Sequence, residues 1–450
     1  MREQIKKDIK ETVKIIDTSK LEFVNITEYK HLVKDNIWTK AIQTALEEKK
    51  NVYIPDLGHE ILLDDSIFMD SNTNLKVDKK QLIKLLPNKN ICMIRNRNIL
   101  PGSHKYIERE NPDCNITVSG GIWNATGNHG MRVDYLHAVE GGFAHMAFSN
   151  IEHLNVTDVT FLGGAASYAV MISNCEDFYV DNIYFDNHKK DGVHIDGPSK
   201  YGIISNLKGE GLKDDMVAIL AWDWYGSGMT HGDIEYVYVH DVEGVDNEIR
   251  LLSGRKEYPN HLTHDCAVRN CVFENINGIY TYKMYYQPNC KNVIYQDKNF
   301  DSALTVGEME NIYFENISVP KLRESGFNDI PVYGIFDILA DCKNINIKDV
   351  KISDSCENLE NKNVKLVNVG PISATWKYGD SVETWGDFFD PDMCCTVEDI
   401  TFENIIMAEE KITDAEKLVK ETIQKINPDY PNTTPKGGTG YGKINKVNVR

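Results

Sequence analysis

Residues 156–161 read VTDVTF, residues 180–185 read VDNIYF, and residues 204–209 read ISNLKG. The phrase is apolar, any residue, Asn or Asp, apolar, any residue, apolar, with glycine closing the third copy. The central residues Asp158, Asn182 and Asn206 are spaced by 24 and 24 residues. Further copies are VRNCVF around Asn270, FENISV around Asn316, IKDVKI around Asp349 and FENIIM around Asn404, with weaker ones at Asp241 and Asn292. Alternation over such short runs predicts strands and not helices. A period in the low twenties predicts a solenoid, with uneven later gaps as insertions between coils. Asn and Asp suit the corner between two strands, because they tolerate the left-handed conformation and bond their own backbone. The expectation is a right-handed parallel β-helix with an asparagine ladder inside it. A β-sandwich with regular turns is the alternative, and the near-constant period favours stacking.

A solenoid needs covers over its open ends. Residues 37–48, IWTKAIQTALEE, have helical apolar spacing and precede the strand NVYIP. They predict a cap on the first coil, with 3–16 as a second helix beside it. Residues 410–425 also read as a helix, and the Pro-, Gly- and Thr-rich tail from Asn427 as a loose or wrapping segment. The division expected is a helical cap over 1–50, a parallel β-helix over 51–408, and a helix and tail over 409–450.

The chain has 450 residues and a formal charge of −19. Such acidity argues against non-specific nucleic-acid binding. No run reaches the length of a membrane span. The N-terminus, MREQIKKDIKETVKIID, lacks the apolar stretch of a secretory signal, so a cytoplasmic location is expected. Ten cysteines are scattered without a C-x-x-C pair, which suits reduced thiols better than zinc.

Counting nine residues on from each corner Asn or Asp aligns one strand on consecutive coils. Asp158 leads to Ser167, Asn182 to Asp191, Asn206 to Asp215 and Asp241 to Arg250. Asp191 and Asp215 should then be stacked neighbours about 4.8 Å apart along the backbone, with Asp214 adjacent and Arg250 one coil on. Like charges that close resist joint ionisation, so one carboxyl should keep a proton. A protonated acid beside an ionised base is what glycoside hydrolysis requires. Each Asp alone could instead serve only a turn.

Other polar residues extend this wall. His194 and Asp196 share a face of DGVHID, either as a bonded pair or as binders, with Val170 and Ala218 expected in the register of His194. Trp222 and Trp224 could stack on sugar rings, or fill an insertion. His231 lies in the same insertion. Arg255, Lys256 and Lys283, with Lys189, Lys190 and Arg250, could form a basic patch for an anionic sugar such as a uronate. Insertions at 221–236, 253–264 and 375–392 are expected to shape a cleft.

The stretch from Gln43 to Lys283 resembles the polygalacturonase family, glycoside hydrolase family 28 of the pectin-lyase-like β-helix proteins. The matching pieces are AIQTAL with NVYIP, ITVSGGIWN at 116–124, DGVHIDG at 191–197, GLKDDMVAI at 211–219 and IRLL at 249–252. The resemblance implies an inverting hydrolase with three catalytic aspartates. Asp214 would be the general acid, Asp191 and Asp215 would hold the attacking water, and Arg250 would sit in a substrate subsite. The pattern departs at Lys189, where the family has Asn. It departs again at its missing Gly-His-Gly strand, for which His231 is the nearest candidate, and at Leu252, where the family has Lys. The catalytic acids match and the galacturonate-reading residues do not. The expectation is therefore a glycosidase on poly- or oligosaccharides, without cofactor or metal. The competing readings are a lyase using Ca²⁺ on the same aspartates, and a non-catalytic carbohydrate-binding β-helix.

Overall fold

The computed structural model describes residues 1–89, 91–98, 109–125, 144–163, 168–188, 190–212, 214–221, 230–253, 266–286, 308–320, 322, 332–370, 375–378, 381–384, 394–421, 423–425 and 439–450. One sheet system of almost wholly parallel strands winds through the chain. The fold is a right-handed parallel β-helix, as the repeat implies.

Seven strands build the wall that carries the aspartates. They are β1 (Tyr168–Asp186), β2 (Val193–Asp196), β3 (Asp215–Leu220), β4 (Ile234–Ser253), β5 (Val268–Tyr286), β6 (Gly334–Leu339) and β7 (Lys365–Val369). Their parallel pairing runs as an unbroken row. Val170 lies beside Val193, then Val217, Ile249, Tyr282, Phe336 and Val367. All are buried in the central core. Side chains alternate across a pleat, so the next residue of each strand faces outward.

The corner residues behave as the sequence implies, with one change of place. Asp158, Asn182, Asn206, Asp241, Asn316, Asp349 and Asn404 all take a left-handed φ between 52° and 60°, and in the coil where the repeat points to Asn270 the corner is Asn275, at φ 56°. Side-chain amides donate hydrogen bonds from coil to coil, such as Asn182 Nδ2 to Asp158 Oδ1 at 2.6 Å and Asn316 Nδ2 to Asn275 Oδ1 at 2.7 Å. The ladder runs along the surface and not inside the helix. Facing water costs an amide nothing, whereas the interior is reserved for apolar stacks. Asn270 belongs to a second ladder, bonded from Asn311 at 2.9 Å. The copy at Asn292 lies outside the described residues.

Helix α1 (Arg2–Thr12) does not sit beside the cap. Ile5, Ile9 and Val13 pack instead on Ile203, Tyr238, Val272 and Tyr313, on the outer flank of the solenoid. Lys6 Nζ pairs with Glu274 at 2.8 Å, and Lys10 lies over the Tyr238 ring. Helix α2 (Thr39–Lys49) is the cap. It buries Ala41, Ile42, Ala45 and Leu46 over the first coil, and its Gln43 Oε1 accepts from Phe68 N at 2.8 Å.

Residues 410–425 form only one helical turn, Ala415–Leu418, between the short strands Glu410–Ile412, Val419–Glu421 and Ile423–Lys425. Val419 pairs with Val367, so the segment extends the sheet edge and satisfies backbone groups that a helix would leave there unpaired. The tail is not loose over its described part. Thr439–Ile444 and Val447–Val449 add parallel pairings with the strands at Cys394–Val397 and Ile400–Met407. The cysteines whose side chains are described are free thiols, most of them buried. Among the described residues no helix is long and apolar enough to cross a membrane.

Candidate active site

Asp191 stands just before β2, and Asp214 and Asp215 open β3. Gly192 between Asp191 and β2 donates its N–H to Asp215 O at 2.9 Å, which locks the two coils at the site. A Cβ on Gly192 would stand 2.7 Å from Met216 O and 2.8 Å from the Phe185 ring. Only glycine permits that approach. The bend at this glycine also resets the alternation of the strand. His194 therefore lies on the same side as Asp191, and its Nδ1 is 2.6 Å from Asp191 Oδ2. Its Nε2 is 3.3 Å from Asp196 Oδ1, and Tyr168 stacks on its ring at 4.0 Å between centroids. The imidazole is thereby fixed from three sides.

The three carboxylates converge. One oxygen from each lies within 4.8 Å of the others, and all three residues are buried. Asp215 is fully buried, at 0 % exposure, and neither of its oxygens accepts a hydrogen bond from a described residue. Arg250 reaches into the cluster, with Nε 3.1 Å from Asp215 Oδ2 and Nη2 3.5 Å from Asp214 Oδ1. Lys190 Nζ is 3.5 Å from Asp214 Oδ2. Burial pushes the Asp215 carboxyl well above the usual carboxylate range. The Arg250 guanidinium opposes this, while Asp191, Asp214 and Glu248 add to it. Burial acts to lower the Arg250 guanidinium, but the Asp215 and Asp214 charges outweigh it and raise the group well above its ordinary value.

Two registers differ from the nine-residue count. Val170 pairs with Val193, and it is Met171 that lies beside His194, with Ala218 on the other side as expected. Arg250 does not share the register of Asp191 and Asp215. It pairs with Ala218, and Glu248 pairs with Asp215. Lys208 pairs with Glu243 and Asp215 with Glu248, so the corner between Glu243 and Glu248 is two residues shorter than the one before it, and a bulge between Asp215 and Val217 shifts the register once more. Arg250 still reaches the carboxylates because its side chain is long enough to span the offset.

Glu248 is the residue that a constant count passes over. It is 1 % exposed, forms an ion pair with Lys283, and accepts a hydrogen bond from the Tyr280 hydroxyl. Its burial acts to raise it, but Lys283 and Arg250 outweigh that and hold the carboxyl below its ordinary range. The available signal was EIRLL, in which Glu248 and Arg250 stand two apart on one strand. Lys283 follows Arg250 in register, and Asp337 and Asn368 continue the outward row. Asp337 accepts from Asn368 Nδ2 at 2.7 Å and Tyr285 Oη at 2.9 Å, and burial pushes it up to about 6.

The structure thus brings together Asp191, Asp214, Asp215, His194, Asp196, Arg250 and Lys283. His231 is buried one residue after Thr230, whose hydroxyl donates to Gly197 O at 2.5 Å, at the far end of β2. Trp222, Trp224 and Arg255 lie outside the described residues, as do Lys189 and Lys256.

No family model matches the chain, and no curated protein matches it in sequence. Solved structures match it in fold. A hyperthermoactive exopolygalacturonase from Thermotoga maritima aligns over 91% of this chain and 97% of its own, with 15% identity and a TM-score of 0.53. The tailspike protein of Escherichia coli bacteriophage HK620, solved as a mutant in complex with a hexasaccharide, aligns over 95% of this chain at 11% identity and a TM-score of 0.51. This chain matches 65% of that tailspike's length. These likenesses establish the right-handed parallel β-helix fold that the polygalacturonase resemblance implied.

Proposed function

We propose that the chain is a glycoside hydrolase acting on poly- or oligosaccharides with inversion at the anomeric carbon. The observation that carries the reading is the convergence of three buried carboxyls within 4.8 Å beside a guanidinium. Asp214 donates a proton to the glycosidic oxygen. Asp191 and Asp215 hold a water against the opposite face of the sugar, and one of them takes its proton as the water attacks. Burial, with the charges of Asp191, Asp214 and Glu248, pushes the Asp215 carboxyl above the usual carboxylate range. Such acid–base action contributes about 10²–10⁴-fold to rate. Two solved structures of like fold are an exopolygalacturonase and a tailspike seen with a hexasaccharide, both consistent with a carbohydrate ligand.

Inversion rests on the family resemblance. The anomer formed is therefore to be measured directly. The second reading is a Ca²⁺-dependent lyase, favoured by the same three oxygens. Against it, Arg250 and Lys190 already bring positive charge to this cluster. Product analysis on neutral and uronate oligosaccharides, with wild type and Asp214→Asn, with and without chelator, separates them. Saturated products that ignore the chelator and vanish in the variant support hydrolysis. The first-formed anomer, read by proton NMR, tests inversion. Unsaturated, ultraviolet-absorbing products lost on chelation overturn the hydrolase.

A further inference from the structure

The outward wall of the site carries three cations among the described residues, Lys190, Arg250 and Lys283, and each already has a carboxylate. Lys190 faces Asp214 at 3.5 Å. Arg250 spans Asp215 at 3.1 Å, Asp214 at 3.5 Å and Glu248 at 3.8 Å. Lys283, with only 6% of its side chain exposed, is ion-paired to Glu248. The other Glu248 oxygen is held by the Tyr280 hydroxyl, so the carboxylate is fixed between its partners. Beyond Lys283 the same row continues with Asp337, a further acid.

A cation recognises a ligand carboxylate through a field that is not already cancelled. Here the guanidinium and the ammonium lie against buried acids, in surroundings where charge pairs interact strongly. Bringing a second carboxylate onto Lys283 would place it against Glu248, and like-charge juxtaposition rejects a partner. Hydroxyl groups meet no such penalty, since they carry no charge and can both donate to a carboxylate and accept from a cation.

We infer that the sugar units lying over Arg250 and Lys283 are neutral, and that Glu248 is the residue that excludes uronates. This rests on the carbohydrate reading of the site but not on the hydrolytic step. The test uses sulfur-linked, non-hydrolysable galacto- and gluco-oligosaccharides, each prepared as the neutral sugar and as the matching uronate, titrated by calorimetry into wild type and Glu248→Gln. The expected result is neutral over uronate by about tenfold or more in wild type. In Glu248→Gln the uronate gains about tenfold, and the gain fades with added salt. Uronate binding in wild type as tight as neutral binding overturns the inference. So does a Glu248→Gln protein with no gain for any uronate.

If Glu248→Gln does not fold, the double variant Glu248→Gln with Lys283→Gln removes both charges without leaving one buried alone. The inference then requires the preference for the neutral sugar to shrink in that variant, and a preference as large as in wild type overturns it. Because no bond is cleaved in these titrations, a preference for neutral sugars without turnover on the natural linkage would sink the hydrolase alone.

Discussion

Strands β2 to β7 show two opposite faces of one backbone. On the inner face, Val193, Val217, Ile249, Tyr282, Phe336 and Val367 stack coil on coil within the central core. On the outer face, one residue further along each strand, stand His194, Ala218, Arg250, Lys283, Asp337 and Asn368. Most of this second row is buried as well. The inner row can be rebuilt from any apolar residues of suitable volume. The outer row cannot, because each buried charge depends on a specific partner. Fold and site are thus written on alternate residues of the same strands.

The two rows should part most widely at the carboxylates. Asp214→Asn should lower turnover by about 10²–10⁴-fold while leaving the unfolding midpoint close to wild type. A comparable loss of stability would mean that the outer row is structural. The inner row should respond in the opposite way. Phe336 stacks on Tyr282 at 4.8 Å and meets Phe314 edge-on at 4.8 Å. Phe336→Ala should cost about 3–5 kcal/mol in denaturant unfolding, through lost burial and the cavity left behind.

Asp337 adds a pH dependence to the contrast, since it is an outer-row acid whose pKa is pushed up to about 6 by burial. The folded state then holds its proton more tightly than the unfolded chain does. Its contribution is present below the ordinary carboxylate pKa and is lost as pH rises through about 6. Asp337→Asn should remove a decline of about 3 kcal/mol between about pH 4 and pH 7, measured by urea unfolding at several pH values. Asp215 acts with the same sign, so the slope should lessen and not vanish. The smallest effect belongs to the exposed corners. Asn275→Ala at φ 56° should cost about 1 kcal/mol, because alanine strains there and the bond to Asp241 is lost.

The corner phrase VTDVTF and its copies made the solenoid legible, because a residue that tolerates left-handed φ is chemically distinctive. The adjacent pair Asp214–Asp215 and the Asp-Gly at 191–192 were legible for a similar reason. The partner of Asp215 in the next coil was not. Strand registers depend on corner lengths, and the corner before Glu248 is two residues shorter than the one before it. A constant count therefore reached Arg250 in place of Glu248. The position of α1 was hidden as well. Its spacing shows an apolar face, but the tyrosine flank that covers it comes from strands some 200 to 300 residues later.

The coil period, the cap at Thr39–Lys49 and the strands that carry the three aspartates can all be read from the chain unfolded on the page. Each of these follows from local chemistry: alternation, helical spacing and tolerance of the left-handed corner. Folding was needed to show that the carboxyls converge, that Arg250 reaches them from the register of Ala218, and that Glu248 holds Lys283. Those facts depend on how successive coils align. Alignment is set by the length and irregularity of every corner between them, which no local pattern of residues encodes.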